Sequence, residues 1–210
     1  TGALTQKRAV NLNNASIKAN QITLANSGNQ FSGNTQVQSA GMVALGTSGD
    51  LNVDTTSSTG TLALNVDGDA RVEGAQVQFA DSQIGGELTV SANQIIQAGR
   101  LQVEGHAEFE AIGGQIDLRH EGNRFQGTVS ASAEQTSLTT GGDMQLLNLN
   151  SRGGQLTAAG RIFLLGNIEQ TGGALTFTAK GVSRPLSSAD IALLLPPSLD
   201  VFSNKEAANP

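Results

Sequence analysis

Gln21–Gly33 reads QITLANSGNQFSG, and Gln115–Gly127 reads QIDLRHEGNRFQG. The two align without a gap at an offset of 94 residues and share Gln21/Gln115, Ile22/Ile116, Leu24/Leu118, Gly28/Gly122, Asn29/Asn123, Phe31/Phe125 and Gly33/Gly127. Each stretch opens on Ile-x-Leu, where one apolar face alternates with one polar face, the period of a strand. A Gly-Asn corner follows, then a short second run centred on Phe and closed by Gly. Gly reaches positive φ freely and Asn tolerates it, so the chain can turn sharply there.

A shorter unit of glycine followed by alternating apolar residues recurs on both sides of these stretches. It appears as Gly60-Leu62-Leu64, Gly86-Leu88-Val90, Gly114-Ile116-Leu118, Gly154-Leu156-Ala158 and Gly173-Leu175-Phe177. Other alternating runs lie at Val43-Leu45, Leu51-Val53, Val77-Phe79, Leu101-Val103 and Leu147-Leu149. Before residue 186 no stretch carries the 3.6-residue period of an amphipathic helix. Short strands, frequent glycine corners and spacings that fit one or two turns of about 20 residues predict a right-handed parallel β-helix. Residues 1–181 are read as its coils, about nine of them, stacked about 4.8 Å apart. Residues 182–210 are read as a non-repeat segment serving as cap, loop or linker. Within it, Ser187 or Ser188 could cap a short helix that ends before Pro196-Pro197.

Composition fits a thin aliphatic core. Hydrophobic residues make up 38% of the chain, aromatics 3%, with no Trp and no Tyr, and glycines number 26. The charged fraction is 14%, well below the roughly 25% of ordinary globular domains. Net charge of −6 argues against nucleic acid and against an anionic membrane surface as partners. No run of 18 apolar residues is present, so no membrane-spanning helix is expected. The absence of Cys removes disulfides and thiolate metal sites. The chain begins at Thr1 with no signal peptide ahead of it, and is read as part of a longer protein whose targeting signals lie elsewhere.

The pattern Gln-Ile-x-Leu-x-x-x-Gly-Asn-x-Phe-x-Gly, with its Gly-Gly-x-Leu units, resembles the filamentous haemagglutinin family, exoproteins of two-partner secretion systems. The resemblance covers about residues 20–181. It implies a long virulence-associated filament, secreted to the bacterial cell surface through an outer-membrane pore partner and used in adhesion, aggregation, biofilm or contact-dependent interaction. The NPNL and NPNG-type motifs of the family's secretion domain are absent, which places the chain in the shaft or a later region. Host-cell, bacterial-cell or polysaccharide receptors follow as possible partners.

Chemistry-bearing residues add little to that reading. Carboxylates are spread over Asp50, Asp54, Asp67, Asp69, Glu73, Asp81, Glu87, Glu104, Glu108, Glu110, Asp117 and Glu121. A polysaccharide-cleaving β-helix would need a pair about 5 to 9.5 Å apart on one face. Glu108 and Glu110 flank Phe109 and so should both point outward. Asn65-Val66-Asp67-Gly68-Asp69 suggests a calcium loop but lacks the further ligand spacing, and reads as a turn. His106 and His120 belong to no spaced metal set. Phe31 and Phe125 read as stacked core residues, and Asn29 and Asn123 as corner residues bonded to backbone. The expectation is a structural shaft and not an enzyme, with no catalytic residue, metal ligand or cofactor assigned and the binding residues left open. The alternatives are a polysaccharide-binding or polysaccharide-cleaving β-helix, separable by a carboxylate cluster on one face, and an intracellular polymerising scaffold.

Overall fold

The computed structural model describes residues 2–56, 58–183 and 199–203. Among them every regular element is a strand, and every strand pairing is parallel. The chain winds as a β-helix in which each coil lies on the one before it. The register follows a single column of residues from coil to coil: Ser16, Gln36, Asp54, Glu73, Ser91, Glu110, Ser132, Asn150 and Glu169. Successive members are 20, 18, 19, 18, 19, 22, 18 and 19 residues apart. Eight steps of about 4.8 Å make a rod close to 40 Å long.

Alternation along each strand sends one row of side chains inward on every side. One row climbs through Val53, Val72, Val90, Phe109, Ala131 and Leu149. Another climbs through Val77, Ile95, Ile116, Thr136, Gly154 and Leu175. The apolar side chains of these rows belong to one continuous buried core. No coil encloses enough apolar surface alone, so each is stabilised by its neighbours. Large and small residues alternate where space demands it. Phe109 packs edge-on against Phe125, ring centres 6.0 Å apart, and Ala131 stands over Phe109 on the next coil. Outward rows carry polar residues, among them Gln76, Gln94, Gln115 and Gln135 in one stack on four consecutive coils.

The five Gly-x-aliphatic units do not mark whole turns. Gly154 stands in register with Thr136, and Thr136 with Ile116. The glycine of one unit therefore stacks in the same column as the first aliphatic residue of another. The unit led by Gly86 lies on a different side of the coil, where Leu88 follows Ala70 in the ladder. Glycine here marks a close approach rather than a phase. A Cβ on Gly114 would lie 1.6 Å from the carbonyl oxygen of Asn93, whereas one on Gly113, at φ +67°, would meet nothing within 4 Å.

Gly181–Ser183 adds to Arg161–Leu164, and Leu199–Ser203 pairs in parallel with Leu175–Ala179. The expected helix between Ser187 and the two prolines lies outside the described residues.

Candidate functional site

The repeated Asn is the centre of a buried clamp. Asn123 is fully buried, and its amide nitrogen donates to the carbonyls of Leu118 and Thr139, each at 3.1 Å. Its oxygen accepts the N–H of Leu101 at 2.8 Å, one coil below. Gln97 completes a reciprocal amide pair: its nitrogen donates to the Asn123 oxygen and its oxygen accepts from the Asn123 nitrogen, both at 2.9 Å. Asn29 repeats the arrangement with Leu24, Gly46, Val10 and Gln6. The hydroxyls of Thr47 and Thr140 donate to the carbonyls of Asn29 and Asn123 from the coil above. One polar side chain thus ties three coils together.

Asn29 lies between Ser16 and Gln36 in the column, and Asn123 between Glu110 and Ser132. The offset of 94 residues is therefore five coils. Those two steps, 20 and 22 residues, are the longest in the series. In the second of them, two of the extra residues lie between Ala111 and Gln115, where the register shifts against Ala133 and Gln135. The glutamine partners of Asn29 and Asn123 escaped sequence analysis, because Gln6 and Gln97 sit 23 and 26 residues upstream of their asparagines and glutamine is common throughout the chain.

A second brace uses carboxylates. Asp50, Asp69, Asp81 and Asp143 each accept, through Oδ1, a backbone N–H on the next coil: Asp69, Glu87, Arg100 and Arg161, at 2.8 to 3.0 Å. Asn14 does the same for Asn34 at 3.1 Å. Directly over each acceptor is a glycine, namely Gly68, Gly86, Gly99, Gly160 and Gly33, whose added Cβ would come within 1.9 to 2.6 Å of the oxygen. Glycine is needed there because any side chain would displace the acceptor.

This accounts for much of the acid content. Asp54 accepts the N–H of Thr56 in its own turn, Glu73 pairs with Arg71, and Asp117 with Arg119. The Asp117 hydrogen bond, and then its charge, hold the Arg119 guanidinium above its ordinary pKa. His106 Nδ1 meets the Thr128 hydroxyl at 2.7 Å, and a ring nitrogen of His120 accepts the N–H of Gly122. Phe31 and Phe125 are buried, stacked on Leu12 and Val103 of the coils below.

Of the depressions on the outer surface of the described residues, two gather three carboxylates each. The larger, about 550 Å³, runs along a corner where Asp50, Asp69 and Glu87 follow one another on adjacent coils, beside Arg71. Two of its three carboxylates are already engaged as braces. Among the described residues no group of three or more His, Asp or Glu side chains is placed to hold a metal ion.

The other depression, about 320 Å³, lies on the flat side that carries the register column. Two outward rows border it: Glu108, Ser130, Asn148 and Asn167, and Glu110, Ser132, Asn150 and Glu169. Glu108 and Glu110 do point outward from either side of buried Phe109. The ladder slips by one residue here, since Val129 pairs with Leu146 while Ser130 pairs with Asn148. Such a bulge bends the strand locally. Ser130 is only 7% exposed, and its Oγ has no hydrogen-bond partner.

Comparison with protein families returns a match to a family model described as repeats of unknown function (DUF5649), over residues 1–38 and 67–132, just under half of the chain. Each matched segment contains one complete Gln–Asn pair, Gln6 with Asn29 and Gln97 with Asn123. No curated protein and no solved structure matches the chain.

Proposed function

We propose that this chain is a segment of a long, secreted bacterial surface filament, acting mainly as a rigid shaft in adhesion, aggregation or contact-dependent interaction. The observation that carries the reading is the clamp repeated after five coils with its bonding pattern intact. Such a device serves propagation of a stack, because each copy joins three successive coils without reference to any ligand. The carboxylate-over-glycine braces serve the same end, and they occupy acids that a cleaving enzyme would leave free. The resemblance to filamentous haemagglutinins supplies the remaining parts of the proposal: surface localisation and export through an outer-membrane pore partner.

A second reading, a polysaccharide-cleaving β-helix, draws on the row of Asp50, Asp69 and Glu87. Adjacent coils put such carboxylates about 4.8 Å apart at the backbone, close enough for acid–base work on a glycan. One assay separates the two. The purified chain is incubated with bacterial cells and a panel of extracellular polysaccharides, and both retention and polymer length are measured. Retention with unchanged polymer length is the result expected of a shaft with adhesive capacity, and absence of retention that of a plain spacer. Shortening of any polymer would replace the shaft by the enzyme.

A further inference from the structure

We infer that the turn from His120 to Asn123 is a pH-sensitive latch: protonation of His120 opens the turn and loosens the clamp at Asn123, while the clamp at Asn29 stays shut. The inference concerns the clamps and does not depend on the shaft reading. It begins from a comparison of the two copies. His120 stands where the first copy has Asn26, 94 residues earlier, and both make the same turn. Asn26 Oδ1 accepts the N–H of Gly28 at 2.8 Å, and His120 Nδ1 accepts the N–H of Gly122 at 2.9 Å. The Asn26 carbonyl accepts the N–H of Asn29, and the His120 carbonyl that of Asn123, each at 3.0 Å. The backbone N–H groups of Asn26 and His120 donate to the side-chain oxygens of Gln6 and Gln97. Each turn therefore holds both members of its Gln–Asn pair.

The two acceptors differ in one respect. An amide oxygen accepts across the whole range in which the chain is folded, whereas an imidazole nitrogen accepts only while it carries no proton. The bond from Gly122 selects the neutral ring with its proton on Nε2. Histidine ordinarily takes up a second proton near about pH 6.5. That proton comes from solvent and settles on Nδ1, where the Gly122 N–H already points. Two donors then face each other and the bond is lost. The ring lies close over Gly122, since a Cβ there would come within 2.9 Å of Cε1, so the cation must swing away and the turn loses its closing bond. Charged groups of both signs surround the turn. Glu121 and Arg119, the latter paired with Asp117, share its coil, and Arg124 follows Asn123. Arg100 lies beneath Gly122, and Asp143, engaged by the Arg161 N–H, belongs to the coil above. None of these side chains bonds to the ring, which leaves the Gly122 N–H as its partner among the described residues.

The test is amide hydrogen exchange of the purified chain at about pH 7.5 and about pH 5.5, read by NMR as protection factors, which removes the intrinsic pH dependence of exchange. Gly122 and Leu101 are expected to lose protection about threefold or more on acidification, Leu101 because its N–H is bonded to the Asn123 oxygen. Gly28 and Val10, their counterparts in the first copy, are expected to keep theirs. His120→Asn gives the second copy the turn of the first and should abolish the loss. Asn26→His should transfer it to Gly28 and Val10. Ring nitrogen chemical shifts at about pH 7.5 should show Nδ1 of His120 without a proton. A proton on Nδ1 at that pH, a loss that persists in His120→Asn with His106 as the remaining histidine, or a loss at Gly122 that leaves Leu101 protected would each overturn the inference. Loss confined to the second copy and abolished by His120→Asn would establish it.

Discussion

Replacing Asn123 by Ala removes the side chain that joins three coils. The backbone N–H of Leu101 then loses its acceptor at 2.8 Å, in a position closed to water. A buried donor left unpaired costs about 1 to 3 kcal/mol. The carbonyls of Leu118 and Thr139 each lose a donor, and because a carbonyl has two lone pairs the cost is nearer about 1 kcal/mol apiece. Gln97 keeps its bond to the carbonyl of Gly99 and goes on accepting the N–H of His120, so it adds little. The expected loss is therefore about 3 to 5 kcal/mol. Urea unfolding followed by far-UV circular dichroism measures it, and hydrogen exchange locates it. A stack of nearest-neighbour contacts predicts lost protection in the coils on either side of Asn123, with the two coils of Leu24 and Leu45 unaffected. Asn123→Asp sharpens the case. It keeps an acceptor for Leu101 but turns a carboxylate toward two carbonyls in a buried site, which raises its folded-state pKa above the ordinary value of about 3.9. Below that ordinary value the carboxyl is protonated in both folded and unfolded chains and the electrostatic cost is absent. The cost grows as pH rises through the interval up to the folded-state pKa. The gap between wild type and Asn123→Asp should thus widen from about pH 4 upward. A loss under about 1 kcal/mol in Asn123→Ala, or deprotection spread evenly along the rod, would refute the clamp.

Three further outcomes follow from the same packing. Gly113→Ala meets only the backbone cost of a left-handed conformation, about 1 to 2 kcal/mol, while Gly114→Ala must displace the Asn93 carbonyl and should cost roughly 3 kcal/mol or more in urea titration. Thr35 and Thr136 are fully buried with unpaired hydroxyls, so Thr35→Val and Thr136→Val should each stabilise by about 1 kcal/mol, read as a higher melting temperature. Asp143→Ala leaves the Arg161 N–H without its acceptor and should cost about 1 kcal/mol in the same titration, whereas Asp143→Asn retains an acceptor oxygen and should lose less than half of that.

Much of this molecule is legible in the order of its residues. Alternation around Ile22, Leu24, Ile116 and Leu118 marks strands with one buried face, because burial on one side of a strand has a period of two. The paired Gly-Asn corners mark a repeat and place Asn29 and Asn123 where a polar side chain must serve the backbone. The flanking of Phe109 by Glu108 and Glu110 is enough to put both acids outside. What only the tertiary structure decides is everything that depends on register between coils. Coils of 18 to 22 residues accumulate offsets that no local pattern records, and a slip of one residue turns every side chain to the other face. That accumulation assigns Gln6 to Asn29 and Gln97 to Asn123, and lays glycines over the carboxylates of Asp50, Asp69, Asp81 and Asp143. It also puts the glycine-led units on different sides of the rod, and gathers Glu108, Ser130 and Asn148 across three strands. Neighbours along the chain determine a strand, but its partners lie a full coil away, where the lengths of the intervening loops decide which side chains meet.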